Sequence, residues 1–366
     1  MPHACSSDGL GRPVVRWHLR EVCLRPGGAV QDVCLHCGRL EEVRPGAAGV
    51  EVEGEGCLLL PGMIDPHVHL RAPGMEAAED WESGTRAAAR GGVTALFDMP
   101  NNLPPITTAA RLDEKRALAR AGSRVEWGVY LGAAAAQTAE IARAHNVAAV
   151  KVYMGSSTGD LLLAEEEALE GVFRAAALAG LPVALHAEDE AIIGARALQL
   201  RGDEDVLVHG WVRPPEAAAV AVRRALALGE RTGAALHFCH VSTSAELDLL
   251  RAARRAGQKL LVEATPHHLF LDERDLAALG NFGKVNPPLR APEERDALWR
   301  ALLDGTVDVI GTDHAPHTVE AKRRPYREAP SGMPGLETAL PLLLTAVLEG
   351  RLSFDRLTAL TSENAA

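Results

Sequence analysis

Aromatic residues are scarce in this 366-residue sequence: Phe, Trp and Tyr make up 4% of it within a hydrophobic fraction of 47%, so Ala, Leu and Val must supply the core. Long apolar runs are missing too. No stretch of about 18 or more apolar residues occurs, which excludes a transmembrane helix as an expectation. The opening MPHACSSDGLGRP lacks the apolar centre of a secretory signal. Cysteines number six, at positions 5, 23, 34, 37, 57 and 239. That is too few in so long a chain for a disulfide scaffold, and the expected compartment is the cytoplasm. Basic residues are outnumbered, 38 Lys and Arg against 49 Asp and Glu, for a net charge of −11. Such a surface argues against nucleic acid and anionic membranes as partners. Any anionic small-molecule substrate must then be met by a few local cations.

What is present has two rhythms. Residues 14–60 alternate short apolar runs with Gly, Pro and charged turns, as in VVRWHL, DVCLHC and CLLLPG, and read as a small β-rich accessory segment, residues 1–57. From residue 58 to 366, apolar runs alternate with Ala-, Leu-, Arg- and Glu-rich helical stretches. The runs are CLLLPGMID, VTALFDM, VEWGVYLG, VAAVKVYMG, LPVALHAE, ALHFCHVS, KLLVEATPH and VDVIGTDH. Eight strand-and-helix units predict an α/β fold of the (β/α)8 TIM-barrel type, in which active sites gather where the strands end.

Unusual polar residues stand at those ends. His67 and His69 lie two apart on one strand, so both face the same side. Lys151 ends VAAVKVYMG, where a buried lysine is costly unless paired or chemically altered. His186, His240 and Asp313 each end a run of their own. Taken singly, the histidines also fit hydrogen-bonded structural residues, and Asp313 fits a helix N-cap. Together they suit a borderline divalent ion such as zinc. The pair Cys34 and Cys37 has metal-ribbon spacing but no second such pair, and fits alternate positions of a short strand better. The piece GSSTGD follows no nucleotide-binding fingerprint, so no phosphate cofactor is assigned.

This ordered set resembles the amidohydrolase superfamily. The stretches DPHVHLRAPG, MPNN, KVYMGSS, TPHH, KVNPPLR and TDHAPH, spread from about residue 59 to the end, are similar to dihydroorotases within it. The resemblance implies a metal-dependent cyclic amide hydrolase that interconverts dihydroorotate and N-carbamoyl-aspartate in pyrimidine synthesis. By the same resemblance two Zn2+ ions are held by His67, His69, Lys151, His186, His240 and Asp313, with Lys151 N-carboxylated as the bridge. Arg71, Asn101 and His317, with His69 beside them, match residues that hold the substrate carboxylate. Asn286 and the backbone of Ser331 and Gly332 match those that hold the ring amides. Arg71 lies two residues beyond His69, so its planar fork should reach the same mouth, a barrel-rim salt bridge being the alternative.

Metal coordination lowers the pKa of water towards about 7, and the aspartate matching Asp313 would shuttle the proton to the leaving nitrogen. His268 and His314 are expected beside the ligands, and residues 156–166 and 318–332 as mobile rim loops. A homo-oligomer, a dimer, is expected, with aspartate transcarbamoylase as a candidate partner. Similar proteins run on past the point equivalent to Ala366 to complete the small β domain. The alternatives are a dihydropyrimidinase, hydantoinase or allantoinase using the same metals, and an inactive scaffold.

Overall fold

A computed structural model describes residues 15–37, 39–43, 48–157, 159–202 and 204–366. Cys5 and the opening segment lie outside them. The chain divides into two compact units, Met1–Gly62 and Met63–Ala366. The small unit is a four-stranded sheet in the order Arg39–Glu41, Val30–His36, Trp17–Cys23, Val50–Glu53. Leu58 bridges to Cys23, which keeps the residues before Met63 with this sheet. Cys34 is buried on its strand, and Cys37 lies just beyond the strand's end at φ +51°.

The large unit is α/β with parallel sheets. One runs Met63–Val68, Val93–Asp98, Glu126–Val129; the other runs Leu131–Gly132, Val150–Tyr153, Val183–His186, Leu236–Phe238, Leu260–Ala264, Val309–Ile310. Each of the eight expected runs contains observed strand. Strands such as Val150–Tyr153 and Val183–His186 are buried at every position, as strands covered on both faces must be. Beyond the last strand, His314 bridges in parallel to Val68 on the first, and the His69 N–H donates to the His314 carbonyl at 2.8 Å.

Helices fill the intervals, and their ends are written locally. Asp80 forms a capping box for Trp81–Arg90, and Thr108 and Thr243 cap Ala109–Gly122 and Ser244–Arg255. Gly233 closes the long helix Pro215–Thr232 in the left-handed conformation. The core is mainly Val, Leu, Ala and Ile, in keeping with the shortage of aromatics.

Candidate active site

The metal half is built on strand ends. His67 closes the strand Met63–Val68 and His69 follows it; their Nε2 atoms lie 3.3 Å and 3.0 Å from the same oxygen, Oδ1 of Asp313. Both rings are held from behind through Nδ1. That of His67 meets Glu263 Oε1 at 2.8 Å, and that of His69 meets Asn101 Oδ1 at 2.6 Å. These Nδ1 contacts turn each Nε2 toward Asp313, the orientation a metal ligand needs. His186, on the strand Val183–His186, points Nδ1 at Nε2 of His240 across 3.0 Å. His67, His240 and Asp313 bring ligand atoms within 4.8 Å of one another.

Lys151 is fully buried on Val150–Tyr153, with Nζ 3.1 Å from Cys239 Sγ, beside His240. The expected ligand residues thus lie on adjacent strands of one sheet, just past the end of the next strand at His240, or beside the Val68–His314 bridge.

The charge balance explains what this cluster wants. Burial and Lys151 push the His67 pKa down, yet Glu263 and Asp313 outweigh them and raise it to about 10. Burial opposes the charge of Asp313, but the surrounding imidazoles hold its carboxyl well below the usual range. Without a cation, His67 carries the positive charge between the two carboxylates; a divalent ion taking the place of that proton would meet a carboxylate and several imidazoles, a donor set that fits such ions.

Three residues of the site stand in the left-handed backbone region without being glycine: Arg71 at φ +62°, His240 at +37° and Asp313 at +47°. Each such position costs about 1–3 kcal/mol and persists only where the surroundings over-determine it. Asp313 therefore caps no helix.

Most residues expected to hold substrate share a cavity with the expected ligands His69 and Asp313. One cavity is lined by His69, Arg71, Asn101, Asn286, Asp313, Ser331 and Gly332, together with Ser157 and Ala315. A larger cavity, about 410 Å³, opens among the strand starts near Ala149, Pro182, Leu236 and Leu260, and none of the candidate ligands lines it.

Arg71 is 2% exposed and burial lowers its pKa to about 10, which leaves it cationic at neutral pH. Its Nε donates to the Pro316 carbonyl at 3.0 Å, and Nη2 lies 3.2 Å from His317 Nε2. Its Nη1 is buried with no hydrogen-bond partner among the described residues. Among the described residues no carboxylate pairs with Arg71, so a rim salt bridge does not account for its placement there. His317 Nε2 is also 3.0 Å from the Ser331 carbonyl. Burial lowers the His317 pKa to about 3, so the ring is neutral, and that one nitrogen serves either partner but not both.

Asn286 is held by His209, whose Nε2 lies 2.9 Å from its Oδ1. Gly332 sits at φ +135°, and a Cβ there would meet the Ala315 carbonyl oxygen at 2.5 Å, so only glycine lets this backbone approach the mouth.

The supporting residues were less visible. Glu263 meets His67 through Oε1 and His237 through Oε2 at 2.9 Å, and also accepts from the His240 N–H at 3.0 Å. A lone charge inside the strand LLVEA was its signal. Gly311 makes room for it, since a Cβ there would lie 2.6 Å from the Glu263 carboxyl carbon.

His314 accepts from the Gly335 N–H at 3.0 Å, and His268 bonds Thr265 and the Pro287 carbonyl. His268 thus orders the backbone beside Asn286. Residues 318–332 are tied down from within: the buried Lys322 donates to the carbonyls of Lys284, Pro330 and Gly332 at 3.2, 3.0 and 2.8 Å. Burial and nearby cations lower its pKa to about 7.

The profile of the amidohydrolase family matches residues 58–366. A dihydroorotase of Halobacterium salinarum is 43% identical over 92% of this chain and 81% of its own length. One of Methanosarcina mazei is 40% identical over 92% and 76%. Among solved structures, L-hydantoinase from Arthrobacter aurescens superposes with a TM-score of 0.88 at 28% identity, covering 96% of this chain and 81% of its own. Dihydropyrimidinase from Brevibacillus agri gives 0.86 at the same identity and coverage. The fold is thus common to several cyclic amidases, and sequence identity separates them. The chain belongs to the amidohydrolase family and, within it, to the dihydroorotases, metal-dependent hydrolases of a cyclic amide.

Proposed function

We propose that the large unit closes as a (β/α)8 barrel and interconverts dihydroorotate and N-carbamoyl-aspartate at the mouth formed by its strand ends. The bridge between His314 and Val68 supports the closure. His67, His69 and Asp313 would hold one cation and His186 and His240 the other, and Lys151, once its neutral amine has taken up carbon dioxide and released a proton, would supply a ligand to both. Carboxylation removes a buried ammonium that would repel metal and replaces it with an anionic bidentate ligand. Zinc suits this imidazole and carboxylate set. When bound, the cations lower the pKa of a water and polarise the ring carbonyl.

This chain's own residues do the rest. Asp313 takes the proton of the attacking water and hands it to the leaving amide nitrogen; in ring closure it accepts the proton of the carbamoyl nitrogen. Arg71, Asn101 and His317 receive the ring carboxylate, while Asn286 and the Ser331–Gly332 backbone orient the amides. We further propose a cytoplasmic homodimer, with aspartate transcarbamoylase as a candidate partner. No described helix is long and apolar enough to cross a membrane.

The observation that carries this reading is the unmatched, buried Nη1 of Arg71 in a molecule whose net charge is −11. A charge-assisted donor left unpaired costs stability unless a ligand completes it. The second reading is a hydantoinase- or dihydropyrimidinase-type enzyme acting on a ring without a carboxylate; solved structures of that kind share the fold at 28% identity, against 40–43% for the dihydroorotases. Steady-state assays of metal-loaded protein with dihydroorotate, dihydrouracil and allantoin separate the two. Turnover of dihydroorotate is expected, and preference for either neutral ring would overturn the assignment. No turnover of any of the three would select the inactive scaffold.

A further inference from the structure

A lysine that no metal or proton transfer requires lies buried behind the recognition half. Lys115, on the helix Ala109–Gly122, has no exposed surface, although its helix otherwise reads as an ordinary charged one. An ammonium stripped of water is expensive unless acceptors replace the water. Here Nζ lies 2.7 Å from Asp98 Oδ2 and donates to the Met99 carbonyl at 2.5 Å and to Asn102 Oδ1 at 2.9 Å. The other oxygen of Asp98, Oδ1, accepts the Leu70 N–H at 2.8 Å. One ion pair therefore touches two separate segments. Leu70 immediately precedes Arg71, while Met99 and Asn102 bracket the turn that carries Asn101.

Stability alone explains this arrangement poorly. A buried pair seldom gains more than an apolar pair of equal volume, because both ions must be desolvated. What the pair does provide is geometry. The ammonium gives two hydrogen bonds to the turn, at Met99 and Asn102, and sets its charge 2.7 Å from Asp98 Oδ2, so one group ties three points of the Asp98–Asn102 turn. The carboxylate carries the same registration across to the Arg71 segment, whose strained backbone needs support from its neighbours.

We propose that the Lys115–Asp98 pair is a specificity-determining positioning element, which sets the spacing between Arg71 and Asn101 and so the fit of the mouth to a ring carboxylate. This rests on the reading of Arg71 and Asn101 as the carboxylate clamp. Neither Lys115 nor Asp98 touches substrate; they act through the two segments they join.

The test is steady-state kinetics of metal-loaded protein with dihydroorotate, reported per metal-loaded site, for Lys115→Met, for Asp98→Asn combined with Lys115→Met, and for Asn102→Ala. The first two are expected to raise KM about tenfold or more, the loss of roughly one charge-assisted hydrogen bond, with kcat and metal content nearly unchanged. Asn102→Ala should raise KM by about two- to fivefold. Should Lys115→Met fail to fold, the double variant, which leaves no lone buried charge, and Asn102→Ala decide the matter.

On an Arg71→Met background the effect of Lys115→Met should shrink, because its route to substrate is already cut. A KM that stays put while only kcat or thermal stability falls would overturn the inference. So would full additivity with Arg71→Met. If Arg71→Met raises KM and the Lys115 variants do not, only this inference fails. If Arg71→Met itself leaves KM unmoved, the clamp fails and this inference with it.

Discussion

The two halves of the mouth are built by different means. The metal half stands at strand ends, where His67 and His69 converge on Asp313 at 3.3 and 3.0 Å and Glu263 braces His67 at 2.8 Å. The segments proposed for recognition are irregular, around Arg71, Asn101, His317 and Gly332, and are held by buried lysines on helices, Lys115 and Lys322. A parallel sheet fixes its strand ends through backbone bonds, and the donors placed there are oriented by short side-chain braces such as Glu263 and Asn101. Loops need supports of their own, and here those supports are buried lysines, Lys322 donating to three backbone carbonyls and Lys115 reaching Met99, Asn102 and the Asp98 carboxylate. The difference implies a division of effects. Damage to the first half should appear in metal content and kcat, and damage to the second in KM.

The largest expected effect comes from the metal half. Stripping the protein with a chelator should abolish turnover, and added zinc should restore it; turnover that survives at zero metal by elemental analysis would break the comparison. Next is Asp313→Asn, expected to keep metal while kcat falls by roughly 10²–10⁴-fold, the usual range for a positioned proton carrier. A variant with substantial kcat would remove the proton-shuttle role.

Glu263→Gln should weaken metal affinity by about 10–100-fold, since it unties His67 and His237 at once. Metal titration checks it, and unchanged affinity would show that the brace is idle. Arg71→Met should raise KM for dihydroorotate about 10–100-fold while metal content holds, the mirror image of the previous variant. Smallest is Gly332→Ala, expected to cost about 1–3 kcal/mol through its positive φ and its clash with Ala315, read as a lowered Tm. An unshifted Tm would mean that the segment relaxes freely.

The same contrast governs what the sequence made legible. The alternation of apolar runs and helices sufficed for the parallel α/β architecture. The period of two between His67 and His69, the histidines and aspartate that end other runs, and the odd placement of Lys151 marked the metal half. Glu263 was readable in principle as a charge inside an apolar strand. Lys115 was not, because RLDEKRALARAG offers several basic residues and periodicity does not say which one turns inward. Nor were the left-handed conformations of Arg71, His240 and Asp313, which glycine would have announced and these residue types do not. Supports that join distant segments leave no local pattern.

The central claim is that one mouth holds two cations on strand-end side chains and a substrate carboxylate on Arg71. Its most direct test is an anomalous-scattering crystal structure of the zinc-loaded protein with dihydroorotate bound. Two metal peaks are expected, one among His67, His69 and Asp313 and one at His186 and His240, with Lys151 carrying added carboxylate density between them and the ring acid on Arg71. Metal bound away from these side chains, or a ring acid turned from Arg71, would contradict the account.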